Sequence, residues 1–295
     1  MKPIRFRPFW KAAIWGGESW QLSGVPGRES VSEDGQALSA LVAAHKGALV
    51  GEDVYAKYGD EFPLLVKFID ARQCLSVQVH PDDALAAKRH GCRGKTEMWY
   101  VVKADPGAKI YAGLSRESSP EDYVRRVSEG DGSSIQDIIA CHESRAGDVF
   151  FLPAGRLHAI GAGNYIAEIQ ETSDITYRVY DFGRRDASGN ARELHTEQAK
   201  DAIDYTVYPE YRTAYDATLP VAPLVSCEHF ITHRVTSDGS AKVDFGRDSF
   251  VVAVCLSGEA AVNGVAVKAG ETLLVPACDS ILDIAGRASF LTATL

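Results

Sequence analysis

The sequence predicts a mainly β protein, built as two related β-barrel domains with a few helices. Three observations carry this prediction: short alternating apolar runs bounded by glycine and proline, a scarcity of helical periods, and a glycine–strand–proline unit that occurs twice. The clearest runs cover residues 62–69, 74–80, 97–102, 148–153 and 165–169. Pro81-Asp82-Asp83 leading into Ala84, Leu85, Ala86 and Ala87 predicts a short helix with an acidic first turn. Ser119-Pro120-Glu121-Asp122 before Tyr123, Val124 and Val127 predicts a capped helix with proline in its first turn, and 198–205 a third helix. Beyond residue 219 the pattern is almost purely strand-like, at 230–235, 250–256, 260–267 and 272–275. A domain boundary near residue 215 follows, giving an N-terminal domain over 1–215 with helical insertions and a C-terminal β domain over 216–295. The repeated unit crosses it: Gly147-Asp148-Val149-Phe150-Phe151-Leu152-Pro153-Ala154 returns as Gly270-Glu271-Thr272-Leu273-Leu274-Val275-Pro276-Ala277. In each copy proline ends the strand because it cannot donate to a ladder. Only the first copy continues to Gly155 and His158; the second has Cys278 and Ile281 there, so only the first domain is expected to retain polar site chemistry.

Hydrophobic residues make up 45% and charged residues 24% of the 295, the balance of a chain that buries a core rather than a disordered or fibrous one. No run approaches the roughly 18 apolar residues of a membrane helix, and the first twenty residues hold no apolar signal core. The expectation is a soluble, cytoplasmic protein with no membrane partner. Forty acids against 31 bases give a net charge of −9, which argues against nucleic acid, whose binding needs clustered Lys and Arg. The six cysteines are scattered without a CxxC pair, so a disulfide framework or thiolate zinc site is not expected; most read as small core residues.

Polar residues on strand faces mark the chemistry. In 74–80, alternation puts Ser76, Gln78 and His80 on one face and Leu75, Val77 and Val79 on the other. That face is either a solvated exterior or a polar interior where Gln78 and His80 converge on one cation. The next run places Lys95, Glu97, Trp99 and Val101 together; a carboxylate among apolar neighbours needs an ion pair, which Lys95 offers, or a metal. Pro153-Ala154-Gly155-Arg156-Leu157-His158 sets an imidazole at the rim of a strand pair. Two imidazoles and a carboxylate suit zinc with an open position, and equally a non-haem iron site. The remaining histidines, His195 among them, read as surface or structural. Further on, alternation aligns Glu168, Gln170, Thr172, Asp174, Thr176 and Arg178 on one polar face, exterior or lumen, and Arg178, Arg184 and Arg185 form the densest cationic stretch, suited to phosphate.

These blocks, taken in order with Trp15-Gly16-Gly17-Glu18-Ser19-Trp20 and Phe62-Pro63-Leu64-Leu65-Val66-Lys67-Phe68-Ile69-Asp70-Ala71, resemble the type I phosphomannose isomerases in their short bacterial form, over about residues 15–185. Members of that family are zinc-dependent mannose-6-phosphate isomerases of the cupin superfamily. The resemblance implies a cupin double-stranded β-helix, or jelly roll, and one zinc ion per chain held by His80, Glu97 and His158 with Gln78 as a fourth ligand. It implies catalytic roles for Lys95, Asp174 and Arg178, and a place for Ser76 and Arg178 against a phosphorylated hexose. The implied reaction interconverts mannose 6-phosphate and fructose 6-phosphate through a cis-enediolate, with Lys95, Asp174 or a water on the ion as rival bases. A monomer or weak homo-oligomer is expected. Three departures from the general cupin pattern, Gln78 in place of a first histidine, Glu97 seventeen residues past His80 and an asparagine displaced to Asn164, match the isomerase branch and count against an iron oxygenase. The remaining alternative is a non-catalytic, metal-bearing sugar-phosphate sensor or binding protein.

Overall fold

Alternating apolar residues and the turns between them gather the strands of the chain into three sheets. The computed structural model describes residues 1–185 and 188–295. The protein is mainly β, with a cupin-type arrangement of facing sheets. A five-stranded sheet runs in the order Tyr177–Tyr180, Val77–Val79, His158–Ile160, Lys109–Leu114, Ile139–Glu143. A six-stranded sheet runs Phe9–Ala13, Gly16–Ser23, Leu64–Ala71, Asn164–Glu171, Glu97–Ala104, Val149–Leu152. A seven-stranded sheet holds Ile4–Arg5, Thr272–Val275, Val251–Val262, Leu282–Thr294, Ile231–Val243 and Val221–Ser226, with Val265–Lys268 paired to Val251–Val262. Each sheet has two open ends, so the expected closed barrels take the form of open sheets instead, as in double-sheet jelly rolls.

Two compact units divide the chain. One joins Lys11–Glu18 to Ile69–Thr213; the other joins Met1–Trp10, Ser19–Phe68 and Ala214–Leu295. In the first unit, Trp99, Val101 and Phe150 of the six-stranded sheet meet Ile110, Ala112 and Ile160 of the five-stranded sheet in one buried apolar layer. The outer face of the five-stranded sheet, with Val77, Val79, Ala159, Tyr177 and Val179, packs against Tyr123, Ile135 and Ala199 from helical segments. A strand buried on both faces places every side chain in an interior, which is why polar residues here can be wholly enclosed.

The helices at Asp83–His90 and Pro120–Ser128 form as their caps dictate. The Leu85 N–H donates to Asp82 Oδ1 at 2.8 Å, and the Asp122 N–H to Ser119 Oγ at 3.2 Å. The third expected helix spans Thr196–Ala202. Three more, Leu38–His45, Gly47–Val50 and Glu52–Tyr58, were not anticipated; the first has no capping side chain but buries Leu38, Leu41 and Val42 at helical spacing. The expected strand over 260–267 is a hairpin instead. Asn263 and Gly264 both have positive φ (46° and 77°), and Val262 faces Val265 across them, the two-residue turn for which Asn-Gly is favoured. The two copies of the glycine–strand–proline unit carry their strands at matching offsets, Val149–Leu152 and Thr272–Val275. The cysteines depart from expectation: all six are free thiols, but only Cys255 is buried, while Cys92, Cys141 and Cys278 are exposed. Among the described residues no helix is long and apolar enough to cross a membrane.

Candidate metal centre

Strand register assembles the site. In the five-stranded sheet Arg178 lies directly opposite Gln78, and Gln78 directly opposite His158. Residues facing each other across antiparallel strands share a face, so the three form one row. In the six-stranded sheet Glu97 sits between Gln170 and Leu152. The two inner faces bring His80, Glu97 and His158 together, with relative exposures of 1%, 0% and 1%. His80 Nε2 is 3.6 Å from Glu97 Oε2 and His158 Nε2 is 3.3 Å from Glu97 Oε1. One ligand atom from each residue lies within 4.8 Å of the others.

Both rings are oriented for ligation. His80 Nδ1 is 2.8 Å from the carbonyl oxygen of Ile175, and His158 Nδ1 is 2.7 Å from that of Arg156. A carbonyl only accepts, so each Nδ1 carries its proton and each Nε2 lone pair is turned inward. Burial, and after it the Lys95 ammonium, push the His158 pKa down to about 3, which keeps the ring in the neutral form a metal requires. The amide of Gln78 lies 3.3 Å from His158 Nε2; turned about its last bond it presents Oε1 to the same space. Two imidazole nitrogens, a buried carboxylate and an amide oxygen are the donor set of an open zinc or iron site, so the residues fit a divalent cation.

Lys95 belongs to the same cluster. Its Nζ is 2.5 Å from Glu97 Oε2, 3.0 Å from His80 Nε2 and 4.0 Å from Glu168 Oε1. The Lys95–Glu97 pairing and the convergence on His80 are thus both present. Glu168, which sequence reasoning left without a role, is buried and accepts from Trp99 Nε1–H at 2.7 Å. Its signal was its place in the polar alternation, one row from Gln170.

That alternation does not continue as one strand. Asn164–Glu171 and Tyr177–Tyr180 belong to different sheets, and residues 172–176 cross between them. The crossing is held by Gln170 Nε2–H, which donates to the carbonyls of Glu171 and Ser173. Glu168 and Gln170 therefore face inward while Asp174 is exposed, with Lys11 Nζ 3.6 Å away. Arg178 is half-buried, and its Nη1–H donates to the Glu193 carbonyl at 2.9 Å. Ser76 is buried just ahead of Val77–Val79. Arg184 is bound to Asp181, which also accepts from Arg192 Nε–H at 2.7 Å, and Arg185 donates to the Gly189 carbonyl. Burial alone would raise the Asp181 pKa; the hydrogen bonds from Arg192 and Arg184 outweigh it and the pKa falls. Of the cationic stretch, Arg184 is thus committed to a buried carboxylate, while Arg178 and Arg185 donate to the backbone carbonyls of Glu193 and Gly189.

Gly155 ties the two histidine segments. Its N–H donates to the His80 carbonyl at 2.9 Å, and its φ of 89° belongs to the region glycine tolerates. A Cβ there would stand 2.9 Å from the Ala202 carbonyl oxygen. Gly155→Ala is expected to cost about 1–3 kcal/mol of stability, read as a lowered denaturant midpoint, and to weaken metal retention.

An enclosed jelly roll with two inward imidazoles and a carboxylate defines a cupin-type protein whose His80, Glu97 and His158 could hold a metal ion. Residues 12–104 match the model of the phosphomannose isomerase type I catalytic domain. Mannose-6-phosphate isomerase of Streptococcus mutans is 37% identical over 270 residues, covering 88% of this chain and 82% of that relative. A mannose-6-phosphate isomerase of Bacillus subtilis is 31% identical over 302 residues, 93% of each chain. The crystal structure of the Bacillus subtilis mannose 6-phosphate isomerase superposes with a TM-score of 0.88 at 26% identity, covering 100% of both chains. The chain belongs to the type I phosphomannose isomerases.

Proposed function

We propose that the protein is a zinc-dependent aldose–ketose isomerase that interconverts mannose 6-phosphate and fructose 6-phosphate through a cis-enediolate. The observation that carries this reading is the convergence of His80, Glu97 and His158 on one buried point, in a chain of this family. His80, Glu97 and His158 hold the ion, with the Gln78 amide oxygen as fourth ligand. Zinc held there supplies Lewis-acid polarisation of the sugar carbonyl. The hard step is removal of the C2 proton of the aldose and its return to C1. Lys95 Nζ, already within hydrogen-bond reach of Glu97 and His80, takes that proton as the neutral amine and returns it as the ammonium; such a group typically contributes about 10²–10⁴-fold. The Arg178 guanidinium faces the charge that develops on the enediolate, from the row that holds Gln78 and His158. Asp174, exposed beside Lys11, meets the incoming sugar, and Ser76 and Arg178 bind the substrate. Glu168 acts with Lys95 as the second carboxyl of the pocket. All of these residues belong to the unit that joins Lys11–Glu18 to Ile69–Thr213, which is the catalytic part of the chain.

Elemental analysis paired with a coupled assay for fructose 6-phosphate tests this. The expected result is zinc near one ion per chain and turnover that a chelator abolishes and zinc restores. Iron with oxygen consumption, or bound zinc without turnover, would overturn it.

A further inference from the structure

Tyr177–Tyr180 is an edge strand of the five-stranded sheet, so it needs partners for backbone groups that point off the sheet. At Arg178 a single residue meets both. The Arg178 N–H donates to His195 Nδ1 at 3.0 Å, and the His195 N–H donates to the Arg178 carbonyl at 2.7 Å. Two residues earlier the Glu193 carbonyl accepts from Arg178 Nη1–H. Residues 193–195 thus hold the backbone and the guanidinium of Arg178 at once. Among the described residues the buried Nε–H of Arg178 has no hydrogen-bond partner, which leaves that edge for another group.

The clasp is itself anchored. Arg192 is bound to both carboxylate oxygens of Asp181, and the helix Thr196–Ala202 begins at His195 and buries Ala199 in the outer core. The ring lies 6.2 Å from that of Tyr177, whose hydroxyl is 2.7 Å from His90 Nε2. Because Nδ1 accepts, the ring carries its proton on Nε2 and is neutral. Burial favours that state, as do Arg178 and His90, while Glu193 opposes it.

Resting on the isomerase reading above, we infer that His195 is the positioning residue of Arg178, an imidazole standing in for a missing strand and keeping the guanidinium in register with Gln78 and His158. In the wild-type enzyme this fixes the group that faces the substrate without touching it.

The test compares His195→Ala with His195→Asn, whose side-chain oxygen can accept where Nδ1 does. With mannose 6-phosphate as substrate, His195→Ala is expected to lower kcat about ten-fold or more, the effect of losing one buried hydrogen-bond partner, while KM and zinc content change little. His195→Asn should recover most of that loss. In an Arg178→Ala background, His195→Ala should add nothing. Equal losses in the two His195 variants, or full additivity with Arg178→Ala, would overturn the inference. Nitrogen-15 NMR of the wild-type imidazole reads the clasp without any turnover: a proton on Nε2 alone at neutral pH is expected, and a proton on Nδ1 refutes it. Wild-type protein inactive on mannose 6-phosphate but showing that tautomer would sink the isomerase reading and leave the clasp standing.

Discussion

Glu97→Gln is expected to lower turnover by at least 10²–10³-fold and to bring bound zinc close to zero, the scale on which losing a centrally placed electrostatic group acts. The reason is geometric. Glu97 is fully buried, its two oxygens reach His80 and His158 separately, and among the described residues it is the carboxylate grouped with the two rings. The amide keeps the volume but surrenders the charge that draws in the cation. Glu97→Ala is the harsher change, because it leaves the Lys95 ammonium buried without its 2.5 Å partner. A cost of about 3–5 kcal/mol in folding stability is expected for that variant, so the glutamine variant separates loss of metal from loss of fold. Metal analysis beside a thermal melt reads both; full zinc occupancy in Glu97→Gln would remove Glu97 from the ligand set.

Arg178→Ala is expected to do the opposite to the metal. Turnover should fall by about 10²–10³-fold, as when a donor facing a developing oxyanion is removed, while zinc stays near one ion per chain. Arg178 lies in the same row as two of the proposed ligands but makes its own hydrogen bond to the Glu193 carbonyl, outside the ligand cluster. Its guanidinium is half-buried, and burial, followed by the nearby Arg192, lowers its pKa; a guanidinium nevertheless keeps its proton in proteins. Charge at this position therefore persists across the working pH range. Retained turnover in this variant would exclude Arg178 from the reaction.

Much of the site was legible because polar residues on apolar strands are costly and so conspicuous. His80, Glu97 and His158 each stood out against apolar neighbours, and the fold brings all three together. The polar face from Glu168 to Arg178 was read as one strand because its alternation is unbroken, yet the chain changes sheets at 172–176, and hydrogen bonds from Gln170 to local carbonyls make that turn. A period of two does not register such a break. The Asn263-Gly264 hairpin, by contrast, carried an explicit turn pair that was passed over inside an apolar run. His195 left no trace of either sort. Its importance rests on a backbone N–H at a sheet edge, reached from a segment seventeen positions away, and no local spacing encodes that meeting.

The proton-bearing nitrogens of the His80 and His158 rings are tethered to carbonyl oxygens of Ile175 and Arg156, which belong to the main chain whatever side chains stand there. Sequence drift at those two positions therefore leaves the imidazoles aimed as before. A family built this way can diversify the shell around its reactive centre at little risk, because the aim of each ring is written in the path of the backbone rather than in the identity of a neighbour.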